Sequence, residues 1–257
     1  MKYSIIYLII GIFSPFLKAQ ELNSGLLQNS VRKGVIYKNE KSWDFAIQTN
    51  GFHFGYTLGK IKTYYKTSYT HFDFGLVEHS RESKVSTPFS QQSKLLSSYT
   101  YGKQYSLWNL RASKGGIRYL SEKTRKKGLA VGYSYEAGMI LGLLKPYYLL
   151  VTRNVDGRFI TDQIKYSNET KEDFLDEYKI EGASSFRKGL SEIKIRPGAN
   201  FKLALRLDPG AFEKYAKSLE LGVLVDMYAT PMQILVTEKK EYFFINFFAK
   251  IQLGKRF

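Results

Sequence analysis

The sequence predicts an all-β protein, a transmembrane antiparallel up-and-down β-barrel of about ten strands. Three observations predict it: apolar and polar residues alternate through the last sixteen residues, the alternation recurs along the chain, and no helix-length apolar segment follows residue 19. Alternation with period two is typical of a strand that has one apolar and one polar face. In a transmembrane barrel the apolar face contacts lipid and the polar face lines the lumen.

The N-terminal segment predicts export. Lys2 is followed by the apolar run from Ile5 to Phe16 and then by Leu17-Lys18-Ala19, which is the pattern of a secretory signal peptide. A Ser-Pro pair interrupts the run, which is shorter than the roughly 20 apolar residues that a spanning helix needs. We predict a signal peptide over residues 1–19, cleavage after Ala19, and one barrel domain over residues 20–257.

Composition excludes a helical membrane protein and leaves soluble β-proteins open. The chain is 44% hydrophobic with a mean hydropathy of −0.29, and it contains 20 Tyr and 18 Phe but no Cys. Tyr is favoured where lipid meets water, although a soluble sandwich or lipocalin-like barrel also alternates. Without cysteine, neither a disulfide nor a cysteine-based metal site can form.

Nine segments are predicted as strands. Asn50-Gly51 separates two alternating runs and is a strong hairpin signal, whereas Gly115-Gly116 is interpreted as a turn. The nine ranges are 43–50, 51–60, 62–77, 98–112, 128–143, 145–155, 197–208, 217–229 and 242–257.

An even strand number is expected, because single-chain bacterial barrels have both ends on the periplasmic side. Val31 to Lys38 supplies the tenth strand. Ten strands place the stretch 156–196 among the longer extracellular loops. They also place the connection 78–97 on the periplasmic side, where a short turn is expected. Counts of eight and twelve remain open.

Two neighbouring predicted strands, 197–208 and 217–229, carry charges on one face. Pairing of these charges across the lumen would neutralise groups that are otherwise poorly solvated. A barrel of ~8 strands has an interior that side chains just fill, so a plugged or very narrow lumen is predicted. The predicted lumen charge network consists of Glu136, Lys202, Arg206, Glu220, Asp226 and Lys250.

The stretch 156–196 has an acidic first half and a basic second half. It is interpreted as a solvated, partly mobile loop with a short helix near Phe174 to Tyr178. The alternative is a lid over the lumen or a docking surface for a protein partner.

The net charge of +16 does not indicate a nucleic-acid partner, because the basic residues are scattered and no recognised binding motif is present. In an outer membrane the surplus suits the phosphate groups of lipopolysaccharide at the rim. A general requirement for solubility explains it equally well.

Catalytic and metal-binding patterns are sparse. No pair among His53, His71 and His79 has the helical spacing of a zinc site, and no cofactor motif is present, so no metal, cofactor or catalytic residue is predicted. His71 and Asp73 share one strand face and are the only lead toward an enzyme.

A resemblance is carried by the export signal, the alternating Tyr-rich strands, Pro197-Gly198-Ala199, Leu219-Glu220-Leu221-Gly222-Val223 and the ending Gly254-Lys255-Arg256-Phe257. With these features the chain resembles a largely uncharacterised family of small outer-membrane β-barrel proteins from Bacteroidota-type bacteria. The resemblance covers most of the predicted mature chain and is specific mainly in the C-terminal third. It implies the cell outer membrane and a barrel fold. Phe257, with Leu253 and Ile251 on its face, is similar to the signal that the barrel-assembly machinery reads. Lys255 departs from that signal.

The leading functional hypothesis is a non-enzymatic structural or accessory subunit of an envelope complex, such as a secretion or assembly machine. Its expected partners are outer-membrane lipid, lipopolysaccharide, the barrel-assembly machinery and other envelope proteins. The alternatives are a narrow transport barrel and a barrel enzyme that acts on lipid or peptide.

Overall fold

The computed structural model of the chain describes residues 37–257 except 64, 87–97, 122–128, 156–157 and 210–212. The predicted signal peptide and most of the predicted strand Val31 to Lys38 lie outside these residues. The described part of that segment, Tyr37 and Lys38, belongs to no strand.

The described chain is almost entirely strand. The strands are β1 (Asn39–Gln48), β2 (Gly51–Thr63), β3 (Lys66–Val77), β4 (Lys84–Ser86), β5 (Ser98–Thr100), β6 (Tyr105–Tyr119), β7 (Ala130–Pro146), β8 (Tyr148–Val155), β9 (Arg158–Lys165), β10 (Ile180–Ala183), β11 (Lys194–Asp208), β12 (Tyr215–Met232) and β13 (Glu241–Arg256). One short helix, α1 (Lys171–Leu175), precedes β10. No helix among the described residues is long and apolar enough to cross a membrane.

Eight of these strands close an antiparallel barrel in the order β1-β2-β3-β6-β7-β11-β12-β13. β13 pairs back onto β1 and closes the wall. Eight is the lower of the counts that the sequence left open. The predicted strand 145–155 does not enter the wall, because β7 runs on to Pro146 and β8 then joins a separate three-stranded sheet with β9 and β10.

The two ends of the barrel differ. One end, the turn end, carries residues 39 and 257 and the connections 64–65, 120–129 and 209–214. The opposite end, the loop end, carries residues 49–50 and the connections 78–104, 147–193 and 233–240. With eight strands the connection 78–97 therefore lies at the same end as the longest connection. The ten-strand arrangement, which placed this connection at the same end as the two chain termini, is wrong.

The barrel wall is apolar outside and polar inside. Phe247, midway along β13, is 68% exposed on the outer wall, whereas its neighbours Asn246 and Phe248 face the lumen and are buried. Outer-wall aromatic side chains pack on one another across strands, as in the Phe74–Trp108 stack with centroids 5.1 Å apart. Large apolar side chains are exposed on all eight strands, which is the reverse of a water-soluble barrel.

Glycines let neighbouring strands approach closely at the two positions that the sequence predicted as turns. The Asn50-Gly51 hairpin is confirmed: β1 and β2 are joined by residues 49–50, and Gly51 has φ +135° with no room for a Cβ beside the Leu76 carbonyl oxygen. The predicted turn at Gly115-Gly116 is wrong, because both residues lie inside β6. A Cβ on Gly115 would lie 2.1 Å from the Tyr135 carbonyl oxygen on β7.

Two apolar clusters lie at the loop end. The first, called the plug, fills the loop-end mouth of the lumen and consists of Val77, Leu107, Ile140, Leu144, Tyr228, Met232, Ile234 and Phe244. The second is the core of the loop-end cap, formed by β5, β8, β9, β10 and α1, and consists of Tyr99, Leu149, Val151, Ile164, Phe174 and Ile180.

The cap replaces the predicted loop over 156–196. Ile164, Phe174 and Ile180 are spread along that stretch and come together against β8, so the segment buries an apolar core of its own. The predicted short helix is present but begins earlier, at Lys171.

Replacement of Gly115 and of Gly116 by alanine is expected to lower the stability of the barrel by different amounts. Gly115→Ala drives a Cβ into backbone atoms of β7, whereas a Cβ on Gly116 first meets the movable end of the Tyr135 ring, 3.0 Å away. We expect Gly115→Ala to lower the unfolding free energy by about 1–3 kcal/mol and Gly116→Ala to have a smaller effect, measured by urea unfolding of the barrel refolded in detergent. Equal effects would contradict the pairing of β6 with β7.

Candidate functional site

Charged side chains from several strands form a central network in the lumen. Arg111 on β6 donates to Asp73 on β3 (Nη1–Oδ1 2.7 Å) and to Asp226 on β12 (Nη2–Oδ2 2.6 Å). Lys202 on β11 lies 2.9 Å from Asp73 Oδ2 and 2.9 Å from Glu136 Oε1 on β7. Each cation therefore bridges two carboxylates and ties together strands that are not neighbours in the wall.

His71 extends the central network to β1. Its Nδ1 lies 3.1 Å from Glu136 Oε1 and its Nε2 lies 3.1 Å from Asp44 Oδ2, which also accepts from Thr57 on β2 at 3.3 Å. Only the imidazolium form donates from both ring nitrogens, so the geometry fits a protonated His71. The ring is 1% exposed.

A second group, the turn-end network, lies closer to the turn end. It consists of Glu40, Arg206, Asp208, Glu220, Lys250 and Arg256. Glu220 receives Arg206 Nη1 at 2.7 Å and Lys250 Nζ at 2.6 Å. Asp208 lies 3.4 Å from Arg206 Nη2 and 3.2 Å from Arg256 Nη2. Three cations face three carboxylates, so this network is neutral.

The structure brings five of the six predicted network residues into contact with another of the six, in two separate groups. Lys202 contacts Glu136, while Arg206 and Lys250 share Glu220. Asp226 lies apart from all of these and is paired with Arg111. Sequence reasoning missed Glu40, Asp44, His71, Asp73, Arg111, Asp208 and Arg256 as members. The alternation of residues along each strand could have identified them, because it places them on the lumen face.

His71, Asp73 and Glu136 lie within 4.8 Å of one another and could hold a metal ion by ligand type and spacing. The sequence did not indicate this group, because Glu136 comes from another strand. Lys202 Nζ contacts both carboxylates and lies 3.5 Å from His71 Nδ1. The ammonium group thus already supplies the positive charge that a metal ion would bring.

The described lumen is closed by its own side chains. Arg206, His53, Asp226 and Ile140 have no solvent-exposed surface. At the loop-end mouth, Ile234 of the 233–240 connection enters the plug. Polar side chains below and the apolar plug above therefore occupy the described lumen.

Ion pairs hold the surface of the loop-end cap. Asp173 on α1 receives Lys179 Nζ at 2.8 Å and lies 3.0 Å from Arg153 Nε on β8. The hydrogen bond from Lys179, aided by the charge of Arg153, lowers the pKa of the Asp173 carboxyl. Lys165 on β9 pairs with Glu192 in the same way, and that hydrogen bond lowers the pKa of the Glu192 carboxyl.

The C-terminal strand presents its predicted assembly residues on the outer wall. Ile251, Leu253 and Phe257 are each at least half exposed there. The Phe257 carbonyl oxygen accepts the backbone N–H groups of Lys38 and Asn39, so the end of the chain is fixed against the start of β1. Recognition by the assembly machinery stays a prediction.

Comparisons with known proteins give weak likenesses. No protein-family model and no curated protein sequence matches the chain. Among solved structures it is similar to Ail, the attachment invasion locus protein of Yersinia pestis, in complex with the heparin analogue sucrose octasulfate (9% identity, 86% of this chain and 99% of that chain, TM-score 0.39). It is also similar to the N-terminal β-barrel domain of Pseudomonas aeruginosa OprF (11%, 85% and 96%, 0.33) and to Neisserial surface protein A (5%, 85% and 96%, 0.39).

The class of the protein follows from its own geometry. The sheet closes on itself, the outer wall exposes aromatic and aliphatic side chains, and the charges face inward in pairs. In this arrangement each barrel strand pairs with a neighbour on both sides, and every described lumen carboxylate has a cation or hydrogen-bond donor. The protein is a transmembrane antiparallel β-barrel.

Removal of the Lys202 ammonium tests the central network. Lys202→Met leaves Asp73 and Glu136 buried with less compensating charge, and we expect a loss of about 3–5 kcal/mol in the unfolding free energy. Lys239→Met, at an exposed position of the 233–240 connection, removes the same charge and is expected to change it by less than about 0.5 kcal/mol. Equal midpoints in urea unfolding of both variants would show that the network does not hold the barrel together.

Proposed function

We propose that the chain is an integral protein of the cell outer membrane, exported with a cleaved signal peptide and inserted by the barrel-assembly machinery. The observation that carries this proposal is the apolar outer wall around a lumen of paired charges. The predicted export signal also supports it, because an outer-membrane protein must be exported. A closed antiparallel barrel with an even strand number is typical of outer-membrane proteins. We place the turn end toward the periplasm and the loop end outside. Membership of the Bacteroidota-type family stays a prediction.

An outer-wall charge tests membrane insertion. Phe247→Arg places a guanidinium in the middle of the lipid-facing side of β13, and we expect it to lower the unfolding free energy by about 2–4 kcal/mol in lipid vesicles. Phe247→Leu keeps an apolar side chain and is the matched control. A water-exposed wall would instead tolerate arginine as well as leucine, so an unchanged or higher stability of Phe247→Arg would contradict the proposal.

We further propose that the barrel is a non-enzymatic structural or accessory subunit of an envelope complex that uses the loop-end cap as its docking surface. A lumen that is filled by side chains is compatible with a barrel that anchors a complex in the membrane. The cap is folded on its own apolar core, yet it exposes aromatic side chains: Phe159 on β9 is 72% exposed, Phe186 is 60% exposed, and Tyr178 is 102% exposed. Exposed aromatic residues on a rigid support are typical of protein interfaces.

The two alternative functions have less support. A transport barrel needs an aqueous path, whereas the plug and the charge networks fill the described lumen. A barrel enzyme around His71 needs access for a substrate, whereas His71 is enclosed by Asp44, Asp73 and Glu136.

Pull-down of the tagged chain from outer membranes in mild detergent tests the docking proposal. We expect envelope proteins to co-purify stoichiometrically with the wild type. Their co-purified amount should fall at least tenfold with the double variant Phe159→Ser with Tyr178→Ser. Tyr215→Ser, an exposed aromatic position at the turn end, is the control and should retain them. Isolation of the wild type as a lone monomer that conducts ions in planar bilayers would overturn the proposal in favour of transport.

A further inference from the structure

The positive surplus of the chain does not lie in the lumen. The buried side chains on the described lumen face include more acids than bases. The acids are Glu40, Asp44, Asp73, Glu136, Asp208, Glu220 and Asp226, and the bases besides histidine are Arg111, Lys202, Arg206, Lys250 and Arg256. The net charge of +16 must therefore come from the outside of the barrel, from its connections or from residues that the structure does not describe.

The surplus does not come from the longest loop-end connection either. Residues 147–193 contain nine acidic and seven basic residues. This connection as a whole is therefore slightly acidic.

The outward basic residues of the described barrel strands are concentrated toward the turn end. Eight of them lie in the half of their strand that is nearer the turn end: Lys41, Lys60, Lys62, Lys66, Lys114, Arg118, Lys217 and Lys255. The ninth, Lys145, lies at the loop end of β7, over the Phe186 ring. Among the described barrel strands, the one acid at an outward position is Glu241, at the loop end, where it lies 3.6 Å from His79. These eight cations form a turn-end ring, and no acid of the described barrel strands lies at an outward position between them.

Two pairs of these cations face each other directly across neighbouring strands. Lys41 is opposite Lys255, and Lys66 is opposite Arg118. Like charges directly opposite each other destabilise a sheet unless an anion lies between them. In the described part of the chain, neither Lys66 nor Arg118 has a carboxylate within ion-pair distance.

The Lys66–Arg118 pair lies in a surface cavity of about 350 Å³. The cavity is lined by Tyr65, Lys66, Arg118, Tyr119, Leu120 and Tyr133. Two cations among tyrosine rings, next to an apolar wall, match the boundary between lipid headgroups and acyl chains. A phosphate with an attached apolar chain fits this combination, because the cations bind the phosphate and the wall contacts the chain.

We propose that the cavity of Lys66 and Arg118 binds the headgroup phosphate of an anionic phospholipid in the membrane leaflet at the turn end. The inference rests on the proposed membrane insertion. It assigns the basic surplus to the phospholipid leaflet, whereas the sequence pattern alone suggested lipopolysaccharide. Lys41, Lys255 and the other ring cations make the surrounding rim attractive to the same leaflet.

Lipid retention on the inserted barrel tests the inference. The wild type and variants are placed in nanodiscs of phosphatidylcholine with a minority of phosphatidylglycerol, and the lipids retained on the released barrel are counted by native mass spectrometry. We expect the double variant Lys66→Gln with Arg118→Gln to bind phosphatidylglycerol about 25-fold more weakly, since each basic residue near a membrane surface contributes about a fivefold factor. Phosphatidylcholine retention should not change.

Two matched variants control for charge and folding. Lys239→Gln with Lys240→Gln removes the same charge at the loop end and should retain phosphatidylglycerol like the wild type. Lys66→Arg with Arg118→Lys keeps both charges and should also retain it. Equal retention by the wild type and the Lys66→Gln, Arg118→Gln variant would overturn the inference. Displacement of the lipid by inorganic phosphate at similar affinity would also overturn it, since the cavity would then be a site for free phosphate.

Insertion is measured separately, by flotation and protease protection with vesicles of phosphatidylcholine alone. Failure of the wild type to insert would overturn the proposed function. Normal insertion with no preference for phosphatidylglycerol would overturn the lipid site alone.

Discussion

The contact of Lys202 and Arg111 with Asp73 is the interaction on which the rest of the structure depends. A closed sheet with an apolar outer wall must place its ionisable side chains inside, where water is scarce and an unpaired charge is costly. One carboxylate that receives two cations, each bound to a further carboxylate, satisfies this requirement across β3, β6, β7, β11 and β12 at once. Cross-strand ionic contacts thus hold the centre of the lumen, below the apolar plug at its loop-end mouth.

The same requirement explains why the barrel is closed to water at the loop end. Ion pairs in a dry lumen are stronger than in water, and they remain so only where solvent is excluded. The plug places Ile234, Met232 and Phe244 over the central network, and the loop-end cap lies beyond it with a separate apolar core. The interior therefore serves stability, and the surfaces available for interaction are the cap and the outer rims.

The distribution of charge between these regions makes the two ends of the barrel electrostatically different. The lumen is close to neutral, the longest loop-end connection is slightly acidic, and most outward bases of the barrel wall lie toward the turn end. A membrane whose leaflets differ in headgroup chemistry would orient such a barrel, because the cationic ring and the aromatic wall favour one leaflet over the other. The stability of the lumen and the proposed lipid contact thus depend on different sets of charged residues.

The alternation of residues in the sequence determined the strands, their two faces and the hairpin at Asn50-Gly51, because these depend on period-two geometry and on local turn chemistry. It also indicated that Lys202, Arg206 and Glu220 face inward. Only the tertiary structure decided which charges meet: Arg111 pairs with Asp226 because closure brings β6 and β12 to opposite sides of one narrow lumen, and no local pattern encodes that distance. The folding of residues 156–196 into a cap, the position of Gly115-Gly116 inside β6 and the strand number were likewise set by packing between distant segments. Local sequence fixes the face of each residue, whereas closure of the sheet fixes its partner.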